Sequence, residues 1–216
     1  MIRVGAGRLV VFLILVTAGL AEAQEPPPRI GPFVLDLQGT FPRFGNDPIL
    51  AQSRGLSQAE LPGPGLGASL GVHAYFARLG VVTLGIGGQA TIGRSRSDPA
   101  SASDQSTLRP VTETFKSISP QFSMNFGNGN GWSYLSAGVG RSRWSIVPEG
   151  AEPLAADGET LTTLNYGGGA RWFAKPHLAF SLDVRLYEIK NGAPQVGLPG
   201  TPHTVLLVIG AGISVK

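Results

Sequence analysis

The stretch YGGGARWFAKPHLAFSLDVRLY, residues 166–187, gathers the side chains best placed to do chemistry. Consecutive glycines run into Arg171, and Asp183 and Arg185 then sit inside an oily run. A glycine run cradles phosphate when a buried strand precedes it and an amphipathic helix follows, because the first N–H groups of that helix point at the anion. Pro176 interrupts the stretch, and beyond it Leu178, Phe180, Leu182, Val184 and Leu186 alternate with Ala179, Ser181, Asp183, Arg185 and Tyr187. A period of two is the signature of a strand. Asp183 and Arg185 therefore share a strand face, and the glycines read as structural. Covalent hydrolysis would need a nucleophile, a base and an orienting acid that can meet. The histidines are His73, His177 and His203, widely dispersed, and cysteine is absent. That excludes thiolate chemistry and argues against a metal centre. The expectation is no catalytic, cofactor-binding or metal site.

The elements that must position these groups begin with an export signal. MIRVGAGRLVVFLILVTAGLAEAQ has Arg3 and Arg8, an apolar run Leu9–Val16, and small residues at Ala21 and Ala23. This predicts a secretory signal peptide over 1–23, cut before Gln24; the run is short for a spanning helix, which needs about 20 residues. The chain carries 17 basic and 14 acidic residues, and loss of Arg3, Arg8 and Glu22 leaves 15 and 13. No block of like charge occurs, so no nucleic-acid partner is expected. Only 14% of residues are charged and 31 are glycine, whereas a soluble domain carries about 25% charge. An exported, charge-poor, glycine-rich chain without a second long apolar segment points to a membrane β-barrel.

After an extended, proline-held lead-in over 24–32, alternation predicts a barrel over 33–216. Leu35 and Leu37 interleave with Asp36 and Gln38. The pattern returns at 66–76, 82–92, 117–126, 134–140, 163–172, 178–187 and 205–215. Short connections (77–80, 127–131, 174–177) alternate with long ones (44–65, 94–110, 147–159, 190–203). Short periplasmic turns and long extracellular loops are the habit of outer-membrane barrels. The architecture expected is all-β: an eight-stranded, antiparallel, up-and-down transmembrane barrel. The polar set, rich in Asp, Arg, Gln, Asn, Ser, Thr and Gly, suits a wet or salt-bridged interior. The reverse orientation, a soluble secreted or periplasmic barrel holding a small apolar ligand, is the alternative.

On this pattern, with NYGGGARWFAKPHLAFSLDVRLY (165–187) and the closing VIGAGISVK, the chain resembles the small eight-stranded outer-membrane β-barrels of Gram-negative bacteria. That group includes the transmembrane domain of outer membrane protein A. The resemblance implies outer-membrane localisation, contact with outer-membrane lipid, and handling by the barrel-assembly machinery during biogenesis. Barrels of this class usually end in an aromatic residue, and this sequence ends Val215-Lys216. No periplasmic wall-binding domain is expected after the barrel. Some outer-membrane barrels are lipid A deacylases with a His-x-Ser arrangement on one rim strand. Here His203 is followed by Thr204 and Val205, and His73 by Ala74 and Tyr75, so a lipid-modifying enzyme is the lesser alternative. It would need an acid and a serine beside one of these histidines.

The residues to watch follow. Asp36, Arg171, Asp183 and Arg185 fall in the polar set and are expected to form a lumen charge network, static rather than a gate. Phe76, Phe126, Trp132, Trp172 and Phe173 lie beside the short turns and are expected to form a periplasmic aromatic belt at the membrane interface. Phe115 and Trp144 lie near the long loops in the polar phase, which an extension above the bilayer would explain. The long loops are expected to project outward and carry recognition of an extracellular ligand. The overall expectation is a non-enzymatic, porin-like envelope protein serving structure, surface interaction or limited solute passage.

Overall fold

The computed structural model describes residues 28–97 and 109–216. The expected signal peptide, the first part of the lead-in (24–27) and the tip of the second long loop lie outside them. The strands are β1 (Phe33–Arg43), β2 (Leu66–Leu79), β3 (Val82–Ser97), β4 (Val111–Asn128), β5 (Gly131–Pro148), β6 (Leu161–Lys175), β7 (Leu178–Ile189) and β8 (Thr204–Val215). They form a closed barrel in sequence order. Every neighbouring pair is antiparallel, and β1 closes on β8 from Leu35↔Val215 to Arg43↔Leu207. Closure removes the unpaired edges that a bilayer does not tolerate. Among the described residues no helix is long and apolar enough to cross a membrane.

Across the lipid-facing band the alternation has one sign. Leu35, Leu37, Leu70, Val72, Ile86, Phe180 and Val184 are exposed, while Asp36, Gln38, Ser69, Gln121, Asn165 and Arg185 are buried. Leaving such side chains in water would forfeit about 1.5–3 kcal/mol each, and a continuous apolar band of this extent marks a membrane surface. On β3 the outward apolar run extends from Val82 to Ile92, which at about 3.3 Å per residue and a tilt of about 45° covers about 25 Å. The soluble alternative requires the reverse orientation and is excluded.

Two expectations are corrected at the strand ends. The short connections are tighter than expected, because pairing continues to Leu79↔Val82, Asn128↔Gly131 and Lys175↔Leu178. That leaves Gly80–Val81, Gly129–Asn130 and Pro176–His177 as turns, Gly80 at φ +61°. On the loop side β3 runs to Ser97 and β5 to Pro148, so residues 94–97 and 147–148 are strand rather than loop. β4 and β5 have 18 residues each, beyond the 9–11 or so needed to span. They stand above the bilayer.

The loops do not simply project. A short helix (Pro48–Gln52) and a 3₁₀ turn (Gln58–Glu60) fold the first loop, and a helical turn (Ala155–Gly158) folds the third. Leu50, Ala51 and Leu61 from the first loop join Phe115, Trp144, Ile146, Tyr187, Ile189 and Leu206 from the wall in one apolar cluster. This cluster roofs the barrel.

Candidate functional site

From the turn end to the loop end the lumen is filled by three kinds of contact. At the turn end, Trp132 points inward from the start of β5 and is 3% exposed. It stacks on Phe173 at 5.0 Å between ring centres and meets Tyr75 edge-on at 5.9 Å. Lys216 turns its ammonium over the Phe173 ring, 3.9 Å from the centre, and donates to the Gly129 carbonyl. Partial burial pushes this amine below the usual lysine range. The expected aromatic belt is thus corrected. Phe76, Phe126 and Trp172 face outward beside the turns, whereas Trp132 and Phe173 line the mouth. Trp132 has the parity of inward Tyr134, and Phe173 that of inward Arg171, so the pleat turns both inside.

The middle of the lumen holds the charged side chains. Arg171 donates from Nε (2.8 Å) and Nη2 (2.6 Å) to the two carboxylate oxygens of Asp36. In the closed order β7 and β8 stand between their strands, so this two-pronged pair runs across the lumen rather than along the wall. Ser214 Oγ donates to Asp36 Oδ1 at 2.5 Å. Arg185 donates to Asp183 from Nε and Nη2, both at 3.1 Å, to Asn165 Oδ1 at 2.6 Å, and to Ser136 Oγ at 2.9 Å. The four charged residues form two ion pairs rather than one ring. Tyr134 links them: its hydroxyl donates to Asp183 Oδ2 at 2.6 Å, and its ring lies under the Arg171 guanidinium at 4.0 Å. Tyr134 escaped the sequence reading, although its place in the polar phase of β5 was the available signal. The glycines of the opening stretch make this packing possible. A Cβ on Gly169 would overlap the Leu182 carbonyl oxygen and lie 2.7 Å from the Tyr134 hydroxyl, closer than packed atoms approach.

Above this layer Thr91 and Tyr187 meet through their hydroxyls at 2.8 Å, from strands diametrically opposed in the eight-strand order. Then comes the apolar roof. Phe115 packs on Tyr187 at 5.1 Å and on Trp144 at 6.2 Å, and Phe44 covers Trp144 at 6.1 Å. Trp144 Nε1 donates to Glu113 Oε1 at 2.7 Å. Over them lies a third buried ion pair, which no sequence feature announced. Arg54 of the first loop donates from Nε to Asp157 Oδ1 of the third at 2.8 Å, and from Nη2 to Thr201 Oγ1 of the fourth at 3.1 Å. Asp157 also accepts from the N–H groups of Ile146 and Leu154. Both side chains of this pair are almost wholly buried. It fastens three loops together.

The histidines do not assemble a hydrolytic site. His73 is buried in the lumen, and neither ring nitrogen has a partner among the described residues. His177 lies in a turn, with Nδ1 3.1 Å from the Lys216 main-chain oxygen. His203 does have an acid beside it: Nε2 lies 3.0 Å from Glu188 Oε1 on the outer rim. Val205, opposite Glu188 in the β7–β8 register, occupies the place a serine would need. Among the described residues no group of His, Asp and Glu is arranged to hold a metal ion.

No protein-family model and no curated protein matches the sequence. The fold matches solved structures. Neisserial surface protein A aligns at TM-score 0.53 and 15% identity, over 86% of this chain and 97% of that one. Ail, the attachment invasion locus protein of Yersinia pestis, solved with the heparin analogue sucrose octasulfate, aligns at 0.51 and 14%, over 84% and 97%. At such identities the likeness concerns fold alone, and the fold is that of the small eight-stranded outer-membrane barrels. With its lipid-facing band, this chain has the architecture of an integral membrane β-barrel.

Proposed function

We propose that the protein is a closed, non-conducting and non-enzymatic barrel whose working part is its loop roof, a rigid interaction surface at the cell exterior. The observation that carries this reading is the Arg171–Asp36 pair set across the lumen, with the apolar roof above it. An eight-stranded barrel has an interior only wide enough for side chains, and here charged pairs, hydrogen bonds and aromatic rings occupy it in turn. The charge network is static, each arginine holding a fixed carboxylate. Phe76, Phe126 and Trp172 anchor the wall at the periplasmic interface, the assembly machinery inserts the barrel, and an extracellular ligand meets the loops.

The non-enzymatic part rests on Val205. A histidine–glutamate pair alone has an acid and a base but no nucleophile. Replacing His203 with alanine is expected to leave the acylation pattern of the membrane lipids unchanged. The test of closure is planar-bilayer recording with protein that shows the heat-dependent gel shift of a folded barrel. The expected trace is that of the bare bilayer. Sustained stepwise conductance from the folded form would overturn the proposal.

A further inference from the structure

The outer wall carries a cluster of cations at the loop-side edge of the lipid-facing band. On β4 the outward run from the turn side is Phe126, Met124, Phe122, Pro120 and Ile118, and then Lys116. On β5 it is Leu135, Ala137 and Val139, and then Arg141 and Arg143. In the register of these strands Lys116 stands directly opposite Arg143, and Ile118 opposite Arg141. Arg94 of β3 stands opposite Thr114, one outward position from Lys116. Arg141 donates to Thr162 Oγ1 at 3.0 Å. Among the described residues none of Arg94, Lys116, Arg141 and Arg143 belongs to an ion pair. Like charges directly opposite one another across two strands destabilise a sheet, and the low dielectric beside a bilayer sharpens that repulsion.

The same strands carry two grooves, one among the cations and an apolar one below them. Lys116, Ile118, Arg141, Arg143 and Thr160 line a groove of about 270 Å³ on the wall. Nearer the turns, Phe122, Met124, Leu135, Ala137 and Tyr166 line another of about 330 Å³. Between the two, the β4–β5 pairing lapses from Ile118↔Arg141 to Phe122↔Ala137, where Pro120 has no N–H to give to the ladder. Cations at headgroup height above an apolar furrow match one chemistry: phosphate joined to acyl chains. Basic clusters at a membrane edge hold anionic headgroups, and guanidinium and ammonium groups are strong phosphate donors.

We infer that Lys116, Arg141 and Arg143, with Arg94 beside them, form a binding site on the outer wall for the phosphates of an outer-leaflet glycolipid, whose acyl chain follows the Ile118–Met124 furrow. The inference rests on the orientation in which the long loops face the cell exterior. The site is separate from the loop roof and from the lumen.

The test uses folded protein in zwitterionic detergent titrated with fluorescent bis-phosphorylated lipid A. The heat-dependent gel shift reports folding independently. Lys116→Gln/Arg141→Gln/Arg143→Gln is expected to weaken binding about tenfold or more, as is removal of the lipid's phosphates. Lys116→Arg/Arg141→Lys/Arg143→Lys keeps the charges and is expected to stay within about threefold of the parent. Arg143→Gln alone, at an exposed position, provides the reading if the triple neutral variant does not fold; unchanged binding there counts against the site. Arg78→Gln/Lys175→Gln at the turn end is expected to bind as the parent does. Equal binding by the neutral variant or by dephosphorylated lipid overturns the site. Equal affinity for phosphatidylglycerol overturns the glycolipid assignment, and displacement by micromolar pyrophosphate overturns a lipid source. A parent protein without the gel shift would sink the barrel reading itself.

Discussion

A guanidinium taken out of water carries a desolvation penalty of several kcal/mol, which only close charge and matched hydrogen bonds offset. Arg171 meets that requirement through both oxygens of Asp36 and the face of Tyr134. Removing one partner strands the other. Arg171→Met is therefore expected to lower the free energy of unfolding by about 3–5 kcal/mol, read from urea midpoints in lipid vesicles. Arg171→Met/Asp36→Leu is expected to recover part of the loss, because an apolar pair of similar volume leaves no unpaired charge. A single variant with an unchanged midpoint would show that water, not the pair, solvates these groups. The sequence placed all four charged residues inside, since parity along a strand decides facing. It did not resolve the pairing, which depends on which strands oppose one another across a closed lumen.

At the scale of elements, β4 and β5 explain why Phe115 and Trp144 fell out of phase. Within the bilayer the outer wall must be apolar and the lumen tolerates polarity. Above it the outer wall meets water, as Thr112 and Thr114 do, and the inner face becomes an ordinary apolar core. The period of two continues while its meaning inverts, so strand existence was legible and the strand ends were not. The roof was illegible for a different reason: Arg54 and Asp157 are 103 residues apart in sequence, in loops with no periodicity. Their pairing has a direct consequence. Arg54 is 4% exposed and should resist trypsin in the folded protein. Asp157→Ala is expected to free the first loop and yield a cut after Arg54 under limited proteolysis. Equal resistance in parent and variant would mean that the apolar cluster alone holds the loops.

For the whole molecule, the polar interior and the lipid-facing exterior are two aspects of one alternation, and the tryptophans report on both. The sequence holds three: Trp132 and Trp144 are 3% and 1% exposed, while Trp172 is 53% exposed on the outer wall. The aromatic belt expected from position alone grouped Trp132 with Trp172, although strand parity separated them. Nearness to a turn sets height along the barrel, and only parity sets the side. The most direct measurement is fluorescence quenching by brominated lipid in single-tryptophan variants folded into vesicles. Trp172 alone (Trp132→Phe/Trp144→Phe) is predicted to be strongly quenched, because bromine in the acyl chains lies against its ring. Trp132 alone (Trp144→Phe/Trp172→Phe) and Trp144 alone (Trp132→Phe/Trp172→Phe) are predicted to stay bright behind the wall. Strong quenching of Trp132 or Trp144, or a Trp172 indifferent to bromine, would contradict a barrel that faces lipid outside and closes on itself within.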